Sequence, residues 1–434
     1  MRKVIDYIIK FLINNKKAPS LSNLVGYTNR PELYPHCKVI IVPSGFFKAE
    51  TYGTEASIPA LPLQEIEGVP LFFGKPEVEW VNDTLVVHAD IIASAYFLLT
   101  RYEEICCREK RDEHGRFPGK ESLPYRAGFL DRPIVDEYGV LLREWLRQAG
   151  VQVVESPPEI RKIWLTHDVD APFFCRSLRH VIRETIKGIG FKSAMKIYRG
   201  PLTDDPYYTF PWLMKQDVDL QNKWPKRNIN SIYFFKSGKK RAKPDRPYYN
   251  LYAAEVQALI TLCKENWFVI GLHSSYEAGK NPGLIEKECA MLKKASGRKL
   301  LCNRHHYLSS REPEDMEWLW KAGIKHDFSM GYADVAGFRL GTSRRVHWIN
   351  PVTKRFTPLV LHPLTIMDVT LSEEKYMHMD YESALAYCRN LIRQVARMNG
   401  ELVLLWHNDT VSELATTPWL RTLYVQLLED LKTE

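Results

Sequence analysis

A parallel β/α barrel preceded by a smaller α/β domain is the architecture this sequence predicts, and three observations predict it. In the second part of the chain, short apolar runs alternate with segments of helical periodicity. Several of those runs drive straight into acidic or histidine side chains. Adjacent prolines, Pro157 and Pro158, divide the chain just before the first such run. Strands of a parallel sheet are buried on both faces and read as continuous apolar runs, and the residues at their C-terminal ends gather on one rim, where barrel enzymes keep their chemistry. A chain of 434 residues has room for a barrel and a second domain.

The elements follow in order. Residues 1–13 read as an amphipathic opening helix; Asp6 and Lys10 interrupt the apolar run and no small-residue cleavage site follows, which argues against an export signal. No uncharged stretch is long enough to span a bilayer, so the expected location is the cytoplasm, with the opening helix available to a membrane surface. Residues 38–42 and 84–88 are apolar and β-branched, hence strands, and residues 89–104 carry Ile92, Ala95, Phe97, Leu98 and Tyr102 at helical spacing. The Arg-, Asp-, Gly- and Pro-rich stretch 108–132 is expected to be loop. Because prolines disfavour helix and cannot serve a central strand, the division falls at residue 156, giving an accessory α/β domain over 1–156 and the barrel over 157–434.

Beyond the division, strands are expected at 163–170, 231–235, 267–273, 300–303 and 402–407. Helices are expected at 253–265, 314–322, 382–398 and 414–432. The helix at 314–322 has Pro313 at a favourable first-turn position and Gly323 as its stop. Alternation of this kind is the pattern of β/α units around a parallel sheet.

Composition narrows the function. With 45% hydrophobic and 26% charged residues, a disordered or fibrous chain is excluded. The net charge of +8 is modest and most Lys and Arg residues are dispersed among acids, so dedicated nucleic-acid binding is not expected. Eight cysteines without CxxC spacing read as reduced core thiols.

The chemistry is carried by the strand ends. In Thr166-His167-Asp168-Val169-Asp170 the side chains alternate, so Asp168 and Asp170 share one face while His167 and Val169 take the other. Two carboxylates that close repel unless a cation or proton lies between them, which suggests a metal ligand beside a general base. Similar runs deliver His273, the group Asn303-Arg304-His305-His306-Tyr307, and His407.

At these residues the chain resembles the polysaccharide deacetylase family, the NodB-homology hydrolases that remove acetyl groups from sugars. The resemblance covers residue 163 onward and implies a distorted β/α barrel. It implies that Asp168 is the catalytic base and Asp170 a metal ligand, with His273 a second ligand. The family's second histidine, four residues on, is here Glu277. The third ligand is therefore Glu277 or His306, with His306 favoured; the latter stands where the family's Arg-x-Pro-aromatic motif has proline. By the same resemblance Arg304 holds Asp168, the backbone N–H of Tyr307 stabilises an oxyanion, and His407 is the general acid. Asp368 is the candidate to orient His407, and Tyr276 is placed near substrate. The implied cofactor is a divalent ion, zinc ahead of cobalt, nickel or manganese, and the implied partner an acetylated sugar or glycan. Hydrolysis of a non-sugar amide and metal-free glycan binding are the alternatives.

Other residues have plainer readings. His167 and His305 are expected to pack away from the site, and His362 and Asp409 to be structural. The basic run from Lys236 to Lys243 reads as a solvated loop, with phosphate contact as its functional option. Tyr207, Tyr208, Phe210, Trp212, Tyr248 and Tyr249 are candidates to stack on sugar rings.

Overall fold

The computed structural model describes residues 1–14, 19–225, 227–238 and 242–432; Lys239, Lys240 and Arg241 of the basic run lie outside the described residues. The first part of the chain supplies strands β1 (Val25–Tyr27) and β2 (Val39–Ile41), the hairpin β3 (Gln64–Ile66) and β4 (Val69–Leu71), then β5 (Gly74–Val81) and β6 (Thr84–Ala89). Four of these form a sheet in the order β1-β2-β6-β5, parallel except for β5. Val39, Ile40 and Ile41 are wholly buried, as a central parallel strand requires.

The helix expected over 89–104 is broken in two. Ile91–Leu99 is capped by Asp90, whose carboxylate accepts the Ala93 N–H, and a second helix, Tyr102–Cys106, follows. Between them Arg101 takes left-handed backbone angles, with φ at 59°. Apolar periodicity runs through the break, so the pattern alone conceals it. The turn aims the Arg101 guanidinium at Glu104 and at the Ser310 carbonyl, 2.8 Å away.

The opening helix, Arg2–Ile13, forms as expected, but its apolar face is covered from within the molecule. Val4, Ile8, Ile9, Leu12 and Ile13 are buried, largely against the helix Ile134–Gln148. The Tyr7 hydroxyl accepts the His347 N–H, and Arg344 donates to the Phe11 carbonyl at 2.7 Å. That face is therefore not free for a membrane surface. Among the described residues no helix is long and apolar enough to cross a membrane. All eight cysteines are free thiols, six of them buried.

The second part builds a nine-stranded sheet from β7 (Lys162–Val169), β8 (Ile229–Lys236), β9 (Val269–Ser274), β10 (Cys302–His305), β11 (His326–Met330), β12 (Val346–Asn350), β13 (Arg355–Pro363), β14 (Ile366–Met367) and β15 (Glu401–Leu405). The order is β12-β13-β11-β10-β9-β8-β7-β15-β14, parallel throughout except for β12. The two ends are drawn together by the chain itself, since β13 and β14 are successive parts of one run. Between them the Leu364 N–H donates to the Met330 carbonyl on β11, and the Thr365 N–H to the Val403 carbonyl on β15. The sheet thus curls into a distorted barrel.

Period-two alternation sorts its side chains. Leu402 and Leu404 face outward with Ile163 and Leu165, under the helices Tyr381–Arg397 and Trp419–Leu431. Val403, Leu405, Ile232, Phe234 and Phe328 fill the interior. The last helix starts later than expected, just after Pro418, and Glu314 sits in a short 3-10 turn before the helix Met316–Lys321.

The two parts meet through buried charge. Glu104 lies between Arg101 and Arg339, a residue that follows β11, at distances of 2.5–3.1 Å, and all three are at most 5% exposed. Burial pushes the Glu104 carboxyl up, but the two guanidinium groups outweigh it and hold it below its ordinary value of 4.5. Asp136 likewise accepts from Thr342, Ser343 and Arg344 across the boundary. Glu104→Gln keeps the shape and strips the counter-charge from two buried arginines, so it is expected to cost about 3–5 kcal/mol in denaturant unfolding at neutral pH. The carboxylate's contribution is full above 4.5 and is lost as pH falls through the depressed folded value, so the gap between wild type and variant should close on acidification.

Candidate functional site

The polar cluster forms because neighbouring parallel strands end in register. His273 on β9 lies beside Arg304 on β10 and Lys236 on β8, and Asp168 on β7 beside Phe234 on β8. Asp168 and Asp170 point inward with Thr166. His167 points outward, its Nδ1 2.9 Å from the Trp406 carbonyl and its Nε2 3.2 Å from Asp217.

Asp170, His273 and His306 converge, with one potential ligand atom from each lying within 4.8 Å of the others. His273 Nε2 is 3.1 Å and His306 Nε2 3.3 Å from Asp170 Oδ1. The outer nitrogen of each ring is tied down. His273 Nδ1 donates to the Arg304 carbonyl at 2.9 Å, and His306 Nδ1 to Asp245 Oδ1 at 2.8 Å. Fixing that tautomer turns the Nε2 lone pair inward, the arrangement expected of metal-binding imidazoles. Asp170 Oδ1 and His273 Nε2 are nevertheless buried without a hydrogen-bond partner. Donors about 3.3 Å apart are what ligands ~2.0–2.1 Å from a tetrahedral ion require, so the residues fit a divalent cation. Glu277 is not part of this group. It sits on the short helix Tyr276–Lys280, where its N–H faces Asp245.

Two ion pairs flank the cluster. Arg304 is wholly buried; its Nη1 donates to Asp168 Oδ1 at 3.0 Å and to Thr166 Oγ1 at 2.8 Å, and its guanidinium lies over the Phe234 ring. Asp168 Oδ2 is left facing His273 Nε2 at 3.5 Å and His407 Nε2 at 3.9 Å. On the other side His407 Nδ1 is 2.8 Å from Asp368 Oδ1, while Asp368 Oδ2 accepts the His407 N–H and the Thr410 hydroxyl. Burial would push the His407 imidazolium down, but Asp368, followed by Asp168 and Asp170, reverses this and raises it to about 10. Burial opposes charge on Asp170 as well; His306, His273 and Lys236 outweigh it and hold the carboxyl well below the usual range.

Asp168, Asp170, His273, His306 and His407 line a cavity of about 450 Å³, within the range of small-molecule sites. Tyr207 and Tyr307 line it, as does Tyr376. Tyr276, expected near substrate, does not; it is 5% exposed and packs against His114, Tyr307 and Arg311. Tyr208, Phe210, Trp212, Tyr248 and Tyr249 are also absent from the lining. His305 packs away, its backbone N–H on Ser329 Oγ, and His362 is held by Glu401 and stacked on Phe328.

Two residues near the site, Asp245 and Arg116, escaped the sequence reading, and two more, Lys236 and Asp409, stand in places it did not give them. Asp245, which secures His306, lies in a proline-rich loop with no strand-end signal. Lys236 is the last residue of β8 and is buried, not solvated; its ammonium lies 3.1 Å from the Asp245 carbonyl and 3.8 Å from Asp170 Oδ1. Asp409, expected to be structural, lines the cavity, and burial raises its carboxyl. An acid two residues beyond a rim histidine was the available signal. Arg116 comes from the first part of the chain yet lines the same cavity. It donates to Asp112 at 2.7 Å and to the Tyr307 carbonyl at 2.8 Å, where the Tyr307 backbone is left-handed with φ at 61°.

Comparison with known proteins adds three findings. A model described as a family of unknown function (DUF7033) matches residues 4–150, the part that carries the four-stranded sheet and Arg116. No curated protein matches the chain. Among solved structures, the chain is similar to a provisionally named polysaccharide deacetylase from Mycobacterium smegmatis, with 11% sequence identity and a TM-score of 0.40, over 64% of this chain and 86% of that one.

Proposed function

We propose that the chain is a metal-dependent hydrolase that removes an acetyl group from an acetylated sugar or glycan. The observation that carries this reading is the trio of half-buried Asp170 with buried His273 and His306, in which Asp170 Oδ1 and His273 Nε2 lack a hydrogen-bond partner, between the Asp168–Arg304 and His407–Asp368 pairs. The order of the sequence motifs supports the same reading. Residues 157–434 are the catalytic barrel, and residues 1–156 a second domain that lends it Arg116.

Asp170, His273 and His306 would hold a divalent ion, with zinc favoured by two imidazoles and a carboxylate, and that ion would supply Lewis acidity toward the acetyl carbonyl and a lowered pKa for water. Asp168, with one oxygen fixed by Arg304, offers the other as general base to the attacking water. The water oxygen bonds to the acetyl carbon as its proton passes to Asp168, and the carbonyl electron pair moves onto oxygen. The Tyr307 N–H, on backbone pinned by Arg116, is the donor to that oxyanion. The bond from carbon to the leaving nitrogen then breaks while His407 Nε2 gives up a proton, and acetate and a free amine depart. Asp368 keeps His407 in the orientation and tautomer for that transfer.

Three outcomes test this reading. Elemental analysis of purified protein should find near-stoichiometric divalent metal that is lost in Asp170→Ala, His273→Ala and His306→Ala and retained in Glu277→Ala, while Asp245→Asn should weaken affinity about 10–100-fold. Acetate release from a panel of acetylated sugars should exceed that from simple acetamides, and Asp168→Asn and His407→Gln should each lower kcat about 10²–10⁴-fold; full turnover in either variant would refute the assigned roles. Arg116→Ala should lower kcat more than it raises KM, measured below the variant's melting temperature, which loss of the buried partner of Asp112 is expected to lower. An unaltered kcat would reduce the first domain to a spacer.

A further inference from the structure

The segment joining β7 to β8 carries a surface that the cavity chemistry does not use. Residues 175–200 hold seven Lys and Arg residues against one acid, Glu184. They fold into a hairpin of two helices, Leu178–Glu184 and Phe191–Arg199, turned at Gly188 and Gly190, both at positive φ. Its base is fixed by Asp205, which accepts the Phe174 and Cys175 N–H groups and lies 3.3 Å from Arg176. Its inner face is already satisfied, with Val181 and Ala194 packed on Phe174, Cys175 and Tyr207.

The outer face is what needs an explanation. Leu178, Ile182 and Ile186, spaced four apart, are 59%, 60% and 81% exposed, and Phe191 is 59% exposed. One position on from each of the first three stand Arg179, Arg183 and Lys187, and the second helix adds Lys192, Lys196 and Arg199, all six exposed. Arg183 and Lys187 lean on Glu184, itself buried. Arg179, Lys192, Lys196 and Arg199 make no ion pair among the described residues. Folding gains nothing from displaying this apolar stripe, since each side chain stays in water.

We propose that this hairpin is a docking surface for an anionic lipid bilayer. A stripe of large aliphatic and aromatic side chains flanked by six exposed cations, two of them sharing Glu184, is the composition of a helix that lies in a headgroup layer: the apolar groups enter the acyl boundary and the cations meet lipid phosphates. Charge complementarity selects this occupant. A second copy would bring the same cations face to face, and a nucleic acid would leave the aliphatic stripe in water. The hairpin follows Asp170 in sequence and its inner face packs on Tyr207, a residue of the cavity wall, so the docking element adjoins the cavity. This surface stands whether or not the cavity performs the reaction proposed above.

The test is cosedimentation of the full-length protein with vesicles of equal parts phosphatidylglycerol and phosphatidylcholine, against phosphatidylcholine alone. Partitioning into the anionic vesicles should be about tenfold stronger or more and should weaken as salt rises. Ile182→Ser with Ile186→Ser, and Lys192→Glu with Lys196→Glu, should each lower it about fivefold or more at unchanged circular dichroism. Hydrogen exchange of the wild type on anionic vesicles should gain protection at residues 178–199, a readout that needs no variant. Equal partitioning into both vesicles, protection elsewhere, or variants that bind like wild type would overturn the proposal. So would a concentration-dependent dimer that the Ile182→Ser, Ile186→Ser variant dissolves, which would assign the face to a second copy.

Discussion

The common direction of the strands governs everything else in this molecule. Because β7, β8, β9, β10, β11, β13 and β15 run in parallel, their C-terminal residues gather at one rim, and the register of neighbours sets polar side chains at matching depth. Asp168, His273 and Arg304 are there at most 3% exposed. Charge so far from water persists only if it is paired. Arg304 answers Asp168, Asp368 answers His407, and Asp245 answers His306. After those pairings Asp170 Oδ1 and His273 Nε2 remain without a hydrogen-bond partner, though His273, His306 and Lys236 all lie within 3.8 Å of that carboxylate oxygen, and a carboxylate oxygen beside imidazole lone pairs is a set that a cation could satisfy.

The same logic links the two parts of the chain. Glu104 cannot sit buried without Arg101 and Arg339, and Arg101 reaches it only through the left-handed turn that breaks the helix. A non-glycine residue in that conformation costs roughly 1–3 kcal/mol, which two charge-assisted contacts offset. The Arg101 guanidinium also holds the Ser310 carbonyl, three residues beyond Tyr307, whose own carbonyl is held by Arg116. The turn that carries His306 into the cavity is therefore braced twice from outside the barrel. The first part of the chain thus contacts the turn that carries His306 and Tyr307 at two points.

How much of this was legible depended on whether a feature is local in sequence. Strand ends are local: an apolar run followed by a polar residue marks His273 and His407, and period-two alternation separates Asp168 and Asp170 from His167. Strand-end geometry also favoured His306 over Glu277, and His306 is the one that lies beside Asp170 and His273. Features made by distant chain segments left no such trace. Asp245 approaches His306 from a loop 61 positions away, and Arg116 meets Tyr307 across 191. Helical periodicity continues through Arg101, and the break is explained by the contacts its guanidinium gains with Glu104 and Ser310. Tyr276, expected near substrate, begins a helix and packs on His114 and Tyr307, and it is not among the residues that line the cavity. The opening helix misled in the opposite sense, since its amphipathicity was real and its partner lay within the protein.

That last case sharpens the meaning of the hairpin between β7 and β8. Amphipathic helices normally end with their apolar stripe covered, as Val4, Ile8 and Leu12 are. The hairpin already has a covered inner stripe, and it still displays Leu178, Ile182, Ile186 and Phe191 beside cations. Two apolar faces on one small element exceed what folding requires, and the second is a liability in water. Nothing in the barrel requires it either, because the base of the hairpin is secured by Asp205 and the rim residues by their own ion pairs. A surface that neither folding nor the site accounts for is explained by an occupant outside the chain, and the basic flanks specify its charge.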